Sequence, residues 1–401
     1  MSRLVFFVLI NLGAWLVLRR LWPEVRTGWR RSVLLGLAVF SGVSLVLPWL
    51  LGHGAHGGVP WVDAPLRLFG SAWLISALIV LLLGWPLALV LSRRERAREK
   101  RAAEPVATPL PAGVDLERRG LLSGVGRALP FAAVGTSTVG LVEGSSGFVI
   151  REVEVRLRGL PRALDGFRIG QITDVHVGTF IDTTYVRAAV AAMNAARVDL
   201  QVMTGDLIDD LSQLDETMAA LETCEAPHGM LAILGNHEHW RGLEEVLEGY
   251  ARSARRGSPV RLLVDEAQVF EHAGQKVRVV GVDYPMRGRS MRVQADRMEQ
   301  SAEVAFAGAS ADEVVICLTH HPSFFPLALE KGARLTLAGH THGGQVAIWG
   351  VPVFWFAFDY MLGRYRKGNG QLYVSGGTGH WLPFRLGVPA EVTLLTLRAE
   401  G

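Results

Sequence analysis

Asp174 and His176 stand two residues apart in Asp-Val-His, and His340 and His342 repeat that spacing in Gly-His-Thr-His-Gly-Gly. Between them lie Asp206 in Gly-Asp-Leu-Ile-Asp-Asp, Asn236 and His237 in Gly-Asn-His-Glu, and His320. In an extended segment, side chains at i and i+2 point the same way, so each pair can serve one face. Carboxylate, amide and imidazole donors without thiolate suit Mn, Fe, Zn or a similar divalent ion. The set is too large for one four-coordinate metal. Two metals sharing one carboxylate use it in full, and such pairs, ~3.5–4 Å apart, clamp the attacking and leaving oxygens of a phosphoryl displacement. Glycines at 205, 235, 339, 343 and 344 let backbone pass close to such a site.

These groups need a frame, and the surrounding pattern supplies one. Apolar strands at Arg168–Thr173, Asp199–Thr204, Gly229–Leu234, Val314–Thr319 and Leu335–Ala338 run up to Asp174, Asp206, Asn236, His320 and His340. In open α/β sheets that C-terminal strand edge is where ligands bind. Helices are predicted over Thr184–Ala196, Gln213–Cys224, Leu243–Arg255 and Met291–Ala305. Val149–Arg158 alternates like a half-exposed strand, and Leu372–Ser375 and Val392–Leu397 close the domain. Consecutive strands at Arg261–Val264, Val269–His272 and Val277–Val282 predict a mixed or second sheet in an α/β fold.

Asp-x-His, Gly-Asp, Gly-Asn-His-Glu, a lone His and Gly-His-x-His, in that order across residues 174–342, resemble the calcineurin-like metallophosphoesterases. The resemblance implies a β-sandwich of two mixed sheets flanked by helices. It implies one metal on Asp174, His176 and His342, a second on Asn236, His320 and His340, and Asp206 bridging them. His237 would sit by the scissile phosphate, stabilising charge or protonating the leaving group, and a metal-bound water would be the nucleophile. Gly339–Gln345 and the ending Leu372–Gly377, Pro383–Gly387 and Pro389–Val392 resemble a bacterial membrane-associated branch, some of whose members resemble enzymes that cleave the pyrophosphate of UDP-2,3-diacylglucosamine. The resemblance covers about residues 150–398.

The first part of the chain is of another kind. Hydrophobic residues make up 49% of the 401 residues. Three apolar runs, Leu4–Leu18, Ser32–Leu51 and Leu68–Leu91, predict a transmembrane region of three helices over 1–92. A cleaved signal peptide followed by core helices is the competing reading, and three such runs in ninety residues are hard to bury otherwise. Trp15, Trp22, Trp49, Trp73 and Trp85 lie in or beside the runs. Arg19, Arg20, Arg26, Arg30 and Arg31 face Glu24 alone in the first connection, and Arg93, Arg94, Arg96, Arg98, Lys100 and Arg101 follow the third run. Lys and Arg favour the inner side, so both connections are expected in the cytoplasm. Residues 93–119 read as a basic cytoplasmic linker broken by Pro105, Pro109, Pro111 and Gly113. Residues 120–144 read equally as a fourth span or, with Arg118 and Arg119 ahead of a weak apolar stretch, as a signal for the twin-arginine export machinery. Either places the domain at 145–401 outside, on a multi-pass protein of the bacterial inner membrane.

The expected function is therefore a membrane-anchored two-metal phosphoesterase acting on a phosphodiester, phosphomonoester or pyrophosphate bond of a phosphate-ester or lipid-phosphate substrate. An external phospholipid, an undecaprenyl-type phosphate or a nucleotide fits the topology. A non-catalytic membrane sensor on the same fold is the alternative. A net charge of +3 is too small to argue for nucleic acid, and the spans lack the buried ionisable residues of a transport path. Cys224 and Cys317 form neither a disulfide framework nor a metal motif. Weaker candidates surround the main set. Asp209 and Asp210 are ligand-supporting or helix-start acids. Glu238 and His239 orient His237 or open a helix. His321 reads as structural. Arg287, Arg289 and Arg292 are phosphate contacts or a solvated face, and His53 and His56 belong to a Gly-rich loop. His380, Trp381, Phe384 and Arg385 are candidates for a substrate lip. The aromatic stretch Trp349–Tyr360 packs in the core or touches lipid.

Overall fold

A computed structural model describes residues 2–50, 60–102, 112–285 and 290–400. The chain divides into two compact units: Met1–Gly54 with Gly58–Val142, and Glu143–Gly401. Pro105, Pro109 and Pro111, His53 and His56, and Arg287 and Arg289 lie outside the described residues.

Among the described residues, four helices build the first unit: α1 (Ser2–Leu21), α2 (Gly28–Leu50), α3 (Pro60–Ala102) and α4 (Ala112–Gly144), whose last two residues belong to the second unit. Ile10, Ala14, Val17 and Leu21 form a helical stripe on α1 that packs with Ala77, Val80 and Ala88 of α3. Two polar pairs bridge the helices. The Trp73 indole donates to Asn11 Oδ1 at 2.8 Å, and Ser76 Oγ donates to Ser137 Oγ at 2.9 Å. Most of the remaining apolar surface faces outward, including Leu82, Leu83, Phe131, Val134 and Val142. Among the described residues, Pro65–Arg93 and Gly124–Gly144 are long and apolar enough to cross a membrane. The first contains the expected span Leu68–Leu91, and the second ends where the expected span or export signal ends. The basic run expected in the linker is helical instead. Arg93–Arg101 continue α3 to Ala102, and residues 112–119 already belong to α4.

In the second unit the chain order is β1 (Phe148–Arg158), β2 (Arg168–Ile172), α5 (Thr183–Ala195), β3 (Leu200–Thr204), α6 (Leu214–Leu221), β4 (Met230–Ile233), α7 (Asn236–Arg241), α8 (Leu243–Arg255) and β5 (Val260–Leu262). There follow β6 (Glu266–His272), β7 (Gln275–Gly281), α9 (Met291–Ala305), β8 (Val314–Leu318), α10 (Phe325–Glu330) and β9 (Leu335–Ala338). The hairpin β10 (Ala347–Ile348) and β11 (Val351–Pro352) precedes β12 (Gly363–Lys367), β13 (Gly370–Val374) and β14 (Ala390–Glu400).

Two six-stranded mixed sheets result, in the orders β1-β14-β2-β3-β4-β5 and β12-β13-β9-β8-β7-β6. β2, β3, β4 and β5 run parallel, as do β7, β8, β9 and β13. The strand run expected over 261–282 is split. β5 is the edge of the first sheet, while β6 and β7 form the far edge of the second. The inner faces meet through Ile169, Leu200, Val202 and Ile233 from one sheet and Val279, Ile316, Leu318 and Leu337 from the other. The outer face of the first sheet is covered by α5, α6 and α8 through Val190, Met218 and Val246. α9 and α10 cover the second through Ala302 and Ala328. Helices on both outer faces explain why the central strands read as continuous apolar runs rather than alternating ones.

Replacing Ile316, fully buried between the sheets, by Ala should cost about 2–5 kcal/mol of unfolding free energy. Denaturant-induced unfolding of the full chain in detergent, followed by near-UV circular dichroism, checks it; an unchanged transition would mean that the sheets do not pack there.

Candidate metal centre

The parallel strands β2, β3, β4, β8 and β9 all end at one edge of the sandwich. There Asp174, Asp206, Asn236, His320 and His340 follow within three residues of the strand ends. The expected extended spacing of Asp174 and His176 is not what aims them. Asp174, His176, Asp206, His340 and His342 all have left-handed backbones, with φ between 48° and 72°. That conformation costs on the order of 1 kcal/mol per non-glycine residue, and Asp and His bear it better than most. It breaks the strand alternation and lets both members of each pair face the cleft. Hydrogen bonds over-determine the turn: Asp174 N donates to Gly205 O at 2.9 Å, His176 N to Asp206 O at 3.0 Å and Val177 N to Leu207 O at 2.9 Å. Gly339 is required for a different reason. A Cβ there would collide with the Asp174 carboxylate and the Thr173 hydroxyl.

Two donor groups form. In the first, His342 Nε2 lies 3.3 Å from Asp174 Oδ1 and 3.1 Å from His176 Nε2. In the second, His320 Nε2 lies 3.2 Å from Asp206 Oδ2, 3.2 Å from Asn236 Oδ1 and 3.2 Å from His340 Nδ1. The ligand atoms of Asp174, His176 and His342 fall within 4.8 Å of one another, and so do those of Asp206, His320 and His340. Asp206 Oδ2 stands between the groups, 3.2 Å from His320 Nε2 and 3.8 Å from His176 Nε2. All seven expected ligands thus converge. The donor chemistry fits divalent cations, because His320 Nδ1 donates to Thr204 O at 2.8 Å and so aims Nε2 into the cluster.

Electrostatics tie the cluster together. Burial alone would lower His320, yet Asp206 and Asp174 outweigh it and raise its pKa to about 10. Burial likewise opposes ionisation of Asp206, and His320, His176 and His237 override it, holding the carboxyl well below its ordinary range. His176 is raised in spite of burial by Asp209, Asp206 and Asp174. His340 and His342 are held well below the ordinary imidazole value by burial first, then by His320 and by His176 respectively.

The supporting residues sort themselves by contact. Asp209 faces the site: one oxygen pairs with His237 Nδ1 and the other lies 3.6 Å from His176 Nδ1. Asp210 caps the turn at Ser212 N. Glu238 is buried and accepts from the backbone N–H groups of Gly235, Asp206, Leu207 and Ile208. It fastens the Asp206 loop to the start of α7 rather than orienting the His237 ring. His239 turns to Asp283, 2.7 Å away. His321 caps the turn at Ser323 N, a structural place. Arg292 lies on the exposed first turn of α9.

The expected substrate lip is corrected. Trp381 is exposed, but His380, Phe384 and Arg385 are buried, because the 376–388 loop folds inward around the guanidinium. Arg385 has no accessible surface. It donates to the carbonyls of Gly376, Val388, Gly377 and Gly379, and its Nη2 lies 3.3 Å from His342 Nδ1. Burial pushes its pKa down to about 10. An Arg five residues before the start of β14 carries no local signal of this role. Aromatic neighbours were equally silent in sequence: Trp240 stands 5.0 Å from the His237 ring, and Tyr284 lies 6.0 Å from His320 and His340. Only His237 and His340 of the set are partly exposed, so a substrate reaches the cluster over them.

Comparison with known proteins agrees with this arrangement. Residues 167–344 match the family model described as calcineurin-like phosphoesterase. An uncharacterised metallophosphoesterase of Helicobacter pylori strain J99 is 29% identical over 285 residues, which is 70% of this chain and 72% of that protein. The uncharacterised metallophosphoesterase YkuE of Bacillus subtilis is 27% identical over 304 residues, 71% of this chain and 99% of that protein. A transmembrane protein with metallophosphoesterase domain from Danio rerio is 28% identical over 273 residues, 65% of this chain and 59% of that protein.

The raised pKa of His320 means that the metal-free site holds a proton on this ring at neutral pH, which an incoming cation must displace. Metal affinity should therefore rise as pH rises toward about 10, with about one proton released per site filled near pH 7. Calorimetric titration of Mn²⁺ or Zn²⁺ in buffers of different ionisation enthalpy measures this directly; no proton release would contradict the ring's assigned charge.

Proposed function

We propose, from the premise that residues 167–344 form a calcineurin-like phosphoesterase domain, that this chain is a membrane-anchored hydrolase using two divalent metal ions. In this reading it cleaves a phosphodiester, phosphomonoester or pyrophosphate bond of a membrane-borne substrate. The observation that carries the reading is the position of Asp206 Oδ2 between two groups of converging donors. Asp174, His176 and His342 would hold one ion, and Asn236, His320 and His340 the other, with Asp206 shared. Bound there, such a pair supplies Lewis-acid polarisation of phosphoryl oxygens and lowers the pKa of a water at the site.

The chain's own residues supply the rest. His237 lies on the open side of the cluster, with its Nε2 3.9 Å from Asp206 Oδ2 and its Nδ1 held by Asp209. A carboxylate accepting from Nδ1–H fixes the ring and turns Nε2 to the open side, where the imidazole can stabilise charge on the phosphoryl group or protonate the leaving oxygen. Asp206 Oδ1 accepts from His237 N at 2.8 Å, so the shared carboxylate also fixes the backbone beneath that ring. Arg385 and the loop carbonyls keep His342 in place from behind. The two apolar helical stretches at 65–93 and 124–144 support anchoring in a membrane. The basic connections flanking the apolar runs support a catalytic unit on the external face, delivered by a fourth span or by the twin-arginine machinery.

The full chain, purified in detergent and supplied with Mn²⁺, is expected to hydrolyse p-nitrophenyl phosphate or its bis ester. Asn236→Ala and His237→Ala should abolish measurable turnover. Asp209→Asn should lower kcat by about 10–100-fold at unchanged metal content, the usual loss when a supporting partner is removed. A wild-type chain that binds two metals yet cleaves neither ester nor a lipid pyrophosphate would favour the non-catalytic sensor.

A further inference from the structure

Just past the Gly-His-Thr-His-Gly-Gly segment the chain leaves the sandwich as a short hairpin. From Val346 to Phe358 it carries no charged residue and five aromatic ones. β10 and β11 pair Ile348 with Val351, leaving Trp349 and Gly350 as a two-residue turn at φ 49° and 79°. Both turn residues are left-handed, the arrangement that favours Asn-Gly. A bulky aromatic in the first position bears strain, and it gains nothing from packing, since Trp349 is 99% exposed. Trp355 and Phe356 beside it are 65% and 72% exposed, and Ile348 and Val351 are also exposed. The expected core packing of this stretch is thus restricted to its ends. Phe354 lies against Gly344, and the Phe358 ring is 6.0 Å from His340.

The base of the hairpin is held firmly. Ala347 N donates to Leu386 O and Leu386 N to Gln345 O, both at 2.8 Å. The next residue, Gly387, donates its N–H to Glu143 Oε2 at 3.1 Å. Glu143 lies in the last turn of α4, at the end of the apolar stretch 124–144. A short chain of hydrogen bonds therefore joins the foot of the aromatic hairpin, the loop behind His342 and Glu143.

We propose that this hairpin dips its tip into the bilayer in which the chain is anchored, so that the metal centre meets phosphate at headgroup level. The inference rests on the anchored-phosphoesterase reading and adds the occupant of this surface. A lipid surface fits better than a second protein for two reasons. The apolar side chains sit on a narrow convex tip, which offers little of the ~800 Å² per partner of a standard interface. Trp and Phe on an uncharged segment are the residues that settle at membrane–water boundaries. Insertion to ~5–10 Å would bury the indole at the headgroup and acyl boundary. The substrate class that follows is a phosphate ester carried on a lipid headgroup, cleaved without leaving the membrane.

The full chain reconstituted in phospholipid vesicles tests this. Cys224 and Cys317 are buried, so a polarity-sensitive fluorophore can be placed on W349C or, should that variant fold poorly, on V351C. A309C is the control, in the exposed turn that enters β8 at the edge opposite the site. Lipids with a nitroxide high on the acyl chain should quench the hairpin label by about twofold and leave the control bright, as shallow insertion requires. An unquenched hairpin label, equal quenching at both positions, or hairpin-to-hairpin cross-linking without lipid quenching would each overturn the proposal. The triple change W349S/W355S/F356S should slow cleavage of a vesicle-embedded phosphate ester by about tenfold, the scale of lost apolar insertion, while turnover of soluble bis-p-nitrophenyl phosphate stays unchanged. Equal turnover of both substrates by the triple variant would also overturn it. Quenching in a chain that hydrolyses nothing would sink the phosphoesterase reading alone.

Discussion

The Asp206 carboxylate is the constraint on which the rest of the catalytic unit depends. It lies at the end of β3 in the first sheet, yet its Oδ2 lies 3.2 Å from His320 Nε2, at the end of β8 in the second. The same oxygen reaches toward His176, and Oδ1 accepts from the His237 backbone. A buried carboxylate in this position is tolerable only because imidazoles surround it. Its own loop is pinned by a second buried carboxylate, Glu238, which accepts from four backbone N–H groups. Burial and the nearby Asp206 push the Glu238 carboxyl up, and the backbone donors oppose that rise. Two like charges are thus held close by separate sets of partners, an arrangement a packed sandwich can impose and a flexible loop cannot.

Strain and packing are set against each other around this point. Five of the seven candidate ligands occupy left-handed backbone. Such strain persists where the surroundings over-determine it. Here the surroundings are the two sheets, which meet through a continuous apolar layer of Val, Ile and Leu. The loops beyond the strand ends continue the pairing by hydrogen bonds from Asp174, His176 and Val177 to the Asp206 segment. Arg385 does similar work from the C-terminal side, where its donors gather the 376–388 loop behind His342. The same loop links the metal centre to Glu143 and to the aromatic hairpin. Site and hairpin therefore share one short piece of backbone.

The sequence by itself determined the two unlike parts of the chain, the α/β alternation, and the identity of the polar residues at the strand ends. These are local matters: apolar periodicity and a polar residue after each apolar run are written within ten residues of one another. It also carried the seven ligand candidates: five stand at strand ends whose parallel neighbours must finish on the same edge, and His176 and His342 follow two of them at a spacing of two residues. Tertiary structure decided what lies beyond local range. It put β5 in the first sheet and β6 in the second, since an edge strand is chosen by its partner and not by its own pattern. It turned Asp174 and His176 inward by left-handed backbone instead of strand alternation, buried Arg385 where a surface lip was expected, and set Asp209 and Glu238 to different tasks. It left Trp349, Trp355 and Phe356 outside where their composition fitted a core equally well. Burial is a property of what the rest of the chain brings near, and no stretch of thirteen residues contains that information.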